Sequence, residues 1–247
     1  MTSPPTYKRA DILLVETGLF ETRAKARAAI EAGLITADGH VVKKPAELLE
    51  TSAKLDGRPP HPWVGRGALK LVHALDLWPI DVMGKVALDV GASTGGFTEV
   101  LLERGAEKVF ACDVGRDQLN PRLANHGRVV DLSGVDARIL DEGYLDETPG
   151  LVVSDVSFIS VEKALPVALD LAAEGADLVC LIKPQFEAGF GRVGKNGMVR
   201  NPAIIAECIA SVSAFVEAQG WTIKGVTVSP ITGGDGQEEH LLWAVKG

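Results

Sequence analysis

Three observations place this chain in the α/β class. Short apolar runs alternate with helical stretches along most of its 247 residues, the pattern of a mostly parallel sheet with helices on both faces. The first such run, KVALDV, opens into a glycine-rich turn, GASTGGF, and then a helix. The last two runs are joined only by SPITGGDGQEE, too little chain for a parallel crossover, so the final strand is expected to run antiparallel. A small α+β module is predicted ahead of this sheet.

That module occupies residues 1–60. Ile12, Leu13, Leu14 and Val15 form a short helix stopped by Gly18. Thr22 is placed to cap a second helix, RAKARAAIEAG, ended by Gly33. In LITADGHVV, Asp38-Gly39 between two apolar stretches signals a hairpin. The proline-rich break DGRPPHPW follows, with the linker set at 61–66 and the second domain at 67–247. There the pattern predicts helices near 66–77, 95–104, 117–125, 161–173 and 201–219. The seven strands fall at 85–90, 107–113, 127–131, 151–154, 177–182, 221–229 and 240–246.

Composition narrows the function. Hydrophobic residues make up 46% and charged residues 23%, the balance of a soluble globular protein. No window approaches the ~18 uninterrupted apolar residues that cross a bilayer, and MTSPPTYKRAD lacks the apolar core of a secretory signal. A cytoplasmic location is expected. Cys112, Cys180 and Cys208 have no paired spacing, and the five histidines are scattered; neither a disulfide framework nor a metal site is expected. Net charge is −8, but the first 62 residues carry nine Lys/Arg against eight Asp/Glu, leaving −9 for the rest. Local patches rather than the total decide contact with RNA.

In doubly wound sheets, ligands bind beyond the carboxyl ends of the strands. The turn after the first strand reads Gly91, Ala92, Ser93, Thr94, Gly95, Gly96. It lacks the middle glycine of G-x-G-x-x-G, and Asp89 just before it is awkward against a polyanion, so a dinucleotide oxidoreductase is disfavoured. The second strand ends at Asp113, 24 residues after Asp89, where an acid binds both hydroxyls of a ribose. A nucleoside without phosphates suits these features, and S-adenosylmethionine is such a ligand. Other strand tips bring further charges. VVSDVSFIS places Asp155 past the fourth strand, LVCLIKPQFE ends the fifth at Lys183, GRGALK ends at Lys70, and GQEEH brings Glu238 and Glu239 before the last.

The segments LDVGASTGGFTE, SDVSFIS, LIKPQFEAG and VGKNGMVR resemble the TlyA family of bacterial rRNA (cytidine-2'-O)-methyltransferases. That family joins an RNA-binding domain of the ribosomal-protein S-four type to a Rossmann-like, FtsJ-like class I methyltransferase domain. The resemblance covers about residues 6–246 and implies a Lys-Asp-Lys-Glu tetrad at Lys70, Asp155, Lys183 and Glu239. Glutamine stands where the family's G-N-x-E has asparagine, which leaves Glu238 as the alternative acid. The resemblance further implies S-adenosylmethionine contacts from Asp89, Gly91, Ser93, Thr94, Gly95, Phe97 and Asp113, with Asp136 at the adenine. In the first domain Arg9, Arg23, Lys25, Arg27 and Lys43 are the candidates for phosphate contact.

Lys183 is expected to manage the proton of a ribose 2'-hydroxyl, as base or as electrostatic stabiliser of the developing alkoxide. Asp155 would orient it, Lys70 and Glu239 would hold the nucleotide, and no metal is required. Two other readings are a membrane-active haemolysin-like protein and a catalytically silent RNA-binding assembly factor. The absence of a spanning segment and the negative charge count against the first; the complete tetrad counts against the second.

Overall fold

A residue pattern with two separate sets of apolar positions gives two separate cores. The computed structural model describes residues 5–247, and the chain divides into two compact units between Pro62 and Trp63. The first unit runs β1 (Tyr7–Arg9), α1 (Ala10–Glu16), α2 (Arg23–Glu31), β2 (Ile35–Ala37), β3 (His40–Val41), β4 (Leu48–Glu50) and β5 (Leu55–Gly57). Leu13 and Leu14 of α1 meet Ala26, Ala29 and Ile30 of α2 in a core closed by Phe20, Ile35 and Val42. Thr22 caps α2, its Oγ1 accepting the Lys25 N–H at 3.3 Å. Asp38 and Gly39 both take positive φ, 50° and 80°, the geometry that joins two strands through a two-residue turn. β1 pairs with β4, and β2 lies between β3 and β5. Strands of two or three residues carry no readable period, which is why β1, β4 and β5 escape the sequence pattern.

The second unit begins with Trp63 and Val64 packed onto its core, the Val64 N–H donating to Glu99 Oε2 at 2.6 Å. It continues through α3 (Ala68–Leu77), β6 (Val86–Val90), α4 (Gly96–Glu103), β7 (Lys108–Asp113), α5 (Pro121–Ala124) and β8 (Val129–Ser133). A single 3-10 turn (Ala137–Ile139), β9 (Leu151–Ser154), α6 (Val161–Ala164), α7 (Pro166–Asp170) and β10 (Asp177–Ile182) come next. α8 (Pro184–Glu187), α9 (Pro202–Ala218), β11 (Trp221–Val228) and β12 (His240–Lys246) complete it. The seven strands are ordered β11-β12-β10-β9-β6-β7-β8. β12 is antiparallel to both neighbours, as the short connection before it requires, and β6 to β10 are mutually parallel.

Alternation along the central strands builds a core on each face. In β10, Leu178, Cys180 and Ile182 join one cluster while Val179 and Leu181 join the other. All six residues of β10 are buried, so truncating one leucine costs about 2–5 kcal/mol. Two predicted helices differ. The stretch 161–173 is broken into α6 and α7 at Pro166, which has no N–H to donate and clashes with the preceding turn. The stretch 117–125 shortens to α5, because Asp117 sits at φ 56° and Asn120 caps the helix by accepting the Arg122 N–H. The chain runs β6-β7-β8 toward one edge and then returns through β9 and β10 toward the other. The switch falls between β6 and β9, the position where such sheets bind ligands.

Candidate active site

Four charged side chains converge at the carboxyl edge of the sheet. Lys183 follows β10, Asp155 follows β9, Glu239 precedes the antiparallel β12, and Lys70 projects from α3. Lys70 Nζ donates to Glu239 Oε2 at 2.6 Å and lies 3.4 Å from Asp155 Oδ2. Lys183 Nζ lies 2.6 Å from Asp155 Oδ1, an ion pair without hydrogen-bond alignment, since that oxygen accepts no aligned bond. Its aligned donations go to Ser157 Oγ at 2.8 Å and to the Asp155 carbonyl at 3.4 Å. Both lysine side chains are only 7% exposed and Glu239 is 2% exposed. Two ammonium groups face two carboxylates, so the buried charges compensate, as burial requires. Glu238 is exposed beside His240, and burial lowers the His240 pKa. The acid that enters this cluster, through Lys70, is Glu239.

Two cavities meet at Asp155 and Ser157. One, about 450 Å³, is lined by Gly91, Ser93, Asp113, Asp136, Asp155 and Phe158 among others. The other, about 610 Å³, is lined by Lys70, Asp155, Lys183 and Glu239 together with Phe158, Phe186 and the loop residues Val193 and Gly197. A smaller cleft of about 210 Å³ between them is walled by Gly91, Ser93, Thr94, Phe97 and Lys183. Both larger volumes fall in the ~300–1,000 Å³ range of ligand pockets.

The loop that walls the first cavity needs its glycines. Gly91 has φ +86°, and a Cβ there would stand 3.1 Å from the Asp155 and Val156 backbone. Gly95 has φ +93°, and a Cβ would press on Leu123 at 2.4 Å. These contacts let the loop pass close to the end of β9. Asp113 holds the loop from the other side: its Oδ2 accepts the Ser93 N–H at 2.8 Å and its Oδ1 the Gly115 N–H at 2.7 Å. Each oxygen keeps a lone pair. Asp136 caps the 3-10 turn by accepting the Arg138 N–H, and its pKa is lowered chiefly by the Arg138 side chain.

Asp89, Thr94, Gly95 and Phe97, unlike the other cofactor candidates, do not line the first cavity. Asp89 is fully buried and lines neither larger cavity; Thr98 Oγ1 donates to its Oδ2 at 2.7 Å. Burial, reinforced by the nearby Asp155 and Asp113, pushes its pKa up to about 7, against the Thr98 hydrogen bond. Phe97 packs into the core as well as walling the small cleft. The cysteines are buried and free, and burial raises Cys112 and Cys180 to about 12, so these thiols stay protonated.

In the first unit, the phosphate-contact candidates fall into two groups. Arg9 and Arg23 both donate to Asp11, which is fully buried and whose pKa is pulled well below the ordinary range by Arg9 first. This buried acid fixes the two guanidinium groups while leaving further N–H donors on each. Lys25 pairs with Glu21 at 2.6 Å and Arg27 with Glu31 at 3.9 Å. Lys43 is half of the exposed pair Lys43-Lys44, whose backbone N–H groups bind Glu47.

Residue patterns missed Ser157, Phe158, Phe186 and Glu187. Ser157 and Phe158 lie inside SDVSFIS, from which only Asp155 stood out as titratable. Phe158 is 91% exposed, has φ 66°, and pairs with Phe186 at 5.2 Å between ring centres. Glu187 Oε1 accepts the Val161 N–H at 2.9 Å, tying α8 to the start of α6.

Comparison with known proteins shows the family. The FtsJ-like methyltransferase family matches residues 63–246 and the S4 domain family matches residues 8–55. The 16S/23S rRNA (cytidine-2'-O)-methyltransferase TlyA of Mycobacterium tuberculosis is 44% identical over 239 residues, covering 95% of this chain and 88% of that protein. Hemolysin A of Brachyspira hyodysenteriae is 37% identical, covering 94% of this chain and 98% of its own length. A solved structure from Streptococcus thermophilus, described as a hemolysin, is 37% identical and superposes with a TM-score of 0.77 over 99% of this chain and 90% of that one. A methyltransferase structure from Listeria monocytogenes shares the fold alone, at 14% identity and a TM-score of 0.55 over 74% of this chain and all of that one. The chain belongs to the TlyA family, an FtsJ-like methyltransferase domain preceded by an S4 domain.

Proposed function

We propose that this protein transfers a methyl group from S-adenosylmethionine to the 2'-hydroxyl of a cytidine in ribosomal RNA, acting in the cytoplasm. The observation that carries the proposal is the meeting of two cavities at Asp155 and Ser157, with Lys183 on the wall of the second. One cavity suits a nucleoside donor and the other an acceptor, and the lysine–aspartate pair stands at their junction. The TlyA relative of Mycobacterium tuberculosis is named for this chemistry. Relatives also carry hemolysin names; among the described residues, no helix is long and apolar enough to cross a membrane.

The chemistry of the first cavity fits S-adenosylmethionine. Its lining includes Asp113, Asp136 and Asp155 but no lysine, arginine or histidine. Such a wall repels polyphosphates and suits a nucleoside with a sulfonium and an ammonium group. Asp113 would take the ribose hydroxyls with the lone pairs that Ser93 and Gly115 leave open, and Asp136 the adenine edge. Gly91, Ser93, Thr94 and Gly95 would shape the loop, while Asp89 and Phe97 would support it from within.

Bound S-adenosylmethionine supplies an electrophilic methyl group. The chain's own residues align the acceptor and take its proton. Lys70 and Glu239, bonded at 2.6 Å, hold the polar wall of the acceptor cavity. Asp155 orients Lys183, which as the neutral amine would take the proton that the ribose oxygen loses and as the ammonium would stabilise the developing alkoxide. Phe158 and Phe186 offer aromatic faces to an unstacked base. Arg9, Arg23, Lys25, Arg27 and Lys43 bring the first unit to RNA phosphates.

The test is transfer of labelled methyl from S-adenosylmethionine to isolated ribosomal subunits by the pure protein, followed by mapping of ribose methylation. Label at cytidine 2'-oxygens is the expected result; no transfer to either subunit would end the proposal. Dye release from liposomes by the same preparation, without methyl transfer, would favour the membrane reading.

A further inference from the structure

Gln237 precedes Glu239 by two residues and is 2% exposed. Its side-chain amide makes three hydrogen bonds. Oε1 accepts the Val199 N–H at 2.7 Å, and Nε2 donates to the Val199 carbonyl at 3.0 Å and the Glu238 carbonyl at 3.0 Å. One buried amide therefore bonds both backbone groups of a single residue, Val199, as a neighbouring strand would. Its backbone is held too: the Gln237 N–H donates to Asp235 Oδ1 at 3.0 Å, and the Gln237 carbonyl accepts the Gly233 N–H at 2.8 Å. Asp235 Oδ2 in turn accepts Gln185 Nε2 at 3.2 Å.

These bonds form a continuous strap. It starts at α8, which directly follows Lys183, passes through Asp235 into the segment that carries Glu239, and ends on Val199. Val199 closes the glycine-rich segment 188–200. That segment contributes Val193 and Gly197 to the wall of the acceptor cavity and is otherwise pinned by a small core of Ala188, Val199 and Cys208. The strap thus joins the segments after Lys183 and before Glu239 to a loop that shapes the acceptor cavity.

We propose that Gln237 is a positioning residue for methyl transfer, locking the loop 188–200 and the Glu239 segment into one acceptor wall. The role rests on the methyl-transfer reading above. Gln237 lines neither cavity that holds the four charged groups and the donor-site acids, so it acts through Glu239 and Val199. The residue type suits the contact: a glutamine side chain offers one acceptor and one donor group, and both are used on Val199.

The full-length Gln237→Met variant keeps the side-chain length and removes all three bonds. Its affinity for S-adenosylmethionine is expected within twofold of wild type, while kcat/KM for ribosomal RNA falls on the order of tenfold to a hundredfold, the scale of an ångström-level misplacement. Amide hydrogen exchange at Val199 should become at least about tenfold faster, because a buried donor has lost its acceptor. Should the methionine variant fail to fold, Gln237→Glu decides. It retains the acceptor for Val199 but sets a carboxylate against two carbonyls, with Asp235 and Glu238 adding negative charge nearby. Its activity relative to wild type should rise as pH falls and the carboxyl regains a donor. Unchanged Val199 exchange, or kcat/KM within twofold of wild type in both variants, overturns the role. If wild-type protein transfers no methyl group, the functional reading fails, and the exchange measurement still decides whether the strap exists.

Discussion

At Lys183 the two shortest contacts, of different quality, set what the ammonium group can do. Asp155 Oδ1 lies 2.6 Å away as an ion pair, while Ser157 Oγ accepts an aligned bond at 2.8 Å. The carboxylate fixes the lysine by charge and the hydroxyl fixes its direction, so Nζ is held where the two cavities join. Lys183→Ala is expected to lower the methyl-transfer rate by about 10²–10⁴, the range for loss of a proton-transfer group, with unchanged S-adenosylmethionine affinity by calorimetry. Lys183→Arg separates base from stabiliser, because arginine keeps the charge yet does not deprotonate in proteins. It should be as impaired as the alanine variant in single-turnover transfer; near-wild-type rates would assign Lys183 an electrostatic role instead. Lys183 and Asp155 were legible because each ends an apolar run on a charge. Ser157 was not, since a serine in a loop has no pattern until its partner is located. The choice between Glu238 and Glu239 needed the geometry: period-two alternation into β12 turns one acid inward to Lys70 and leaves the other in solvent.

Among the elements, α8 and α6 are coupled by a carboxylate that dislikes its surroundings. Burial pushes Glu187 up to about 7, against the hydrogen bond it accepts from the Val161 N–H. An acid raised in the folded state is held protonated there between its unfolded pKa near 4.5 and about 7. Across that window the native chain binds more protons than the unfolded chain, so its contribution to stability falls as pH rises. Glu187→Gln keeps an oxygen for Val161 and removes the titration. The variant should melt higher than wild type at pH 8, with the difference shrinking toward pH 5; an equal gain at both pH values would refute the assignment. Asp89, also raised to about 7, retains the rest of the wild-type dependence. The element pattern was readable wherever a strand was central and long, as in β6, β7, β9 and β10. It failed where local chemistry overrode period: Pro166 split one helix, and the three-residue strands of the first unit are defined only by the partners they meet.

For the molecule as a whole, the cores of the two units share no residue: that of the first is built from residues up to 55, those of the second from residues 63 onward. The FtsJ-like and S4 family matches fall on the same two stretches. The second unit therefore has the buried surface to fold without the first, and it contains every residue assigned to the donor cavity and the tetrad. The first unit holds basic side chains in a fixed array, since Asp11 anchors Arg9 and Arg23. Removing residues 1–60 should leave S-adenosylmethionine affinity within about twofold, while affinity for ribosomal RNA drops and its salt dependence becomes shallower by about one unit of slope per lost phosphate contact. The measurement is RNA binding across a salt series for full-length and shortened chains. Equal slopes would mean that the first unit contributes no phosphate contacts and that substrate recognition lies wholly around the acceptor cavity. The anchoring acid adds a condition on pH. The Asp11 pKa is depressed in the fold, so its stabilising share is complete above the ordinary carboxylate pKa of about 3.9 and is lost as pH falls below it. Asp11→Asn should lower the acid sensitivity of the first unit, reduce its stability at neutral pH, and weaken RNA binding by freeing Arg9 and Arg23 from their shared anchor. RNA affinity and salt slope unchanged in that variant would show that the two arginines are structural partners of Asp11 rather than a phosphate-binding array.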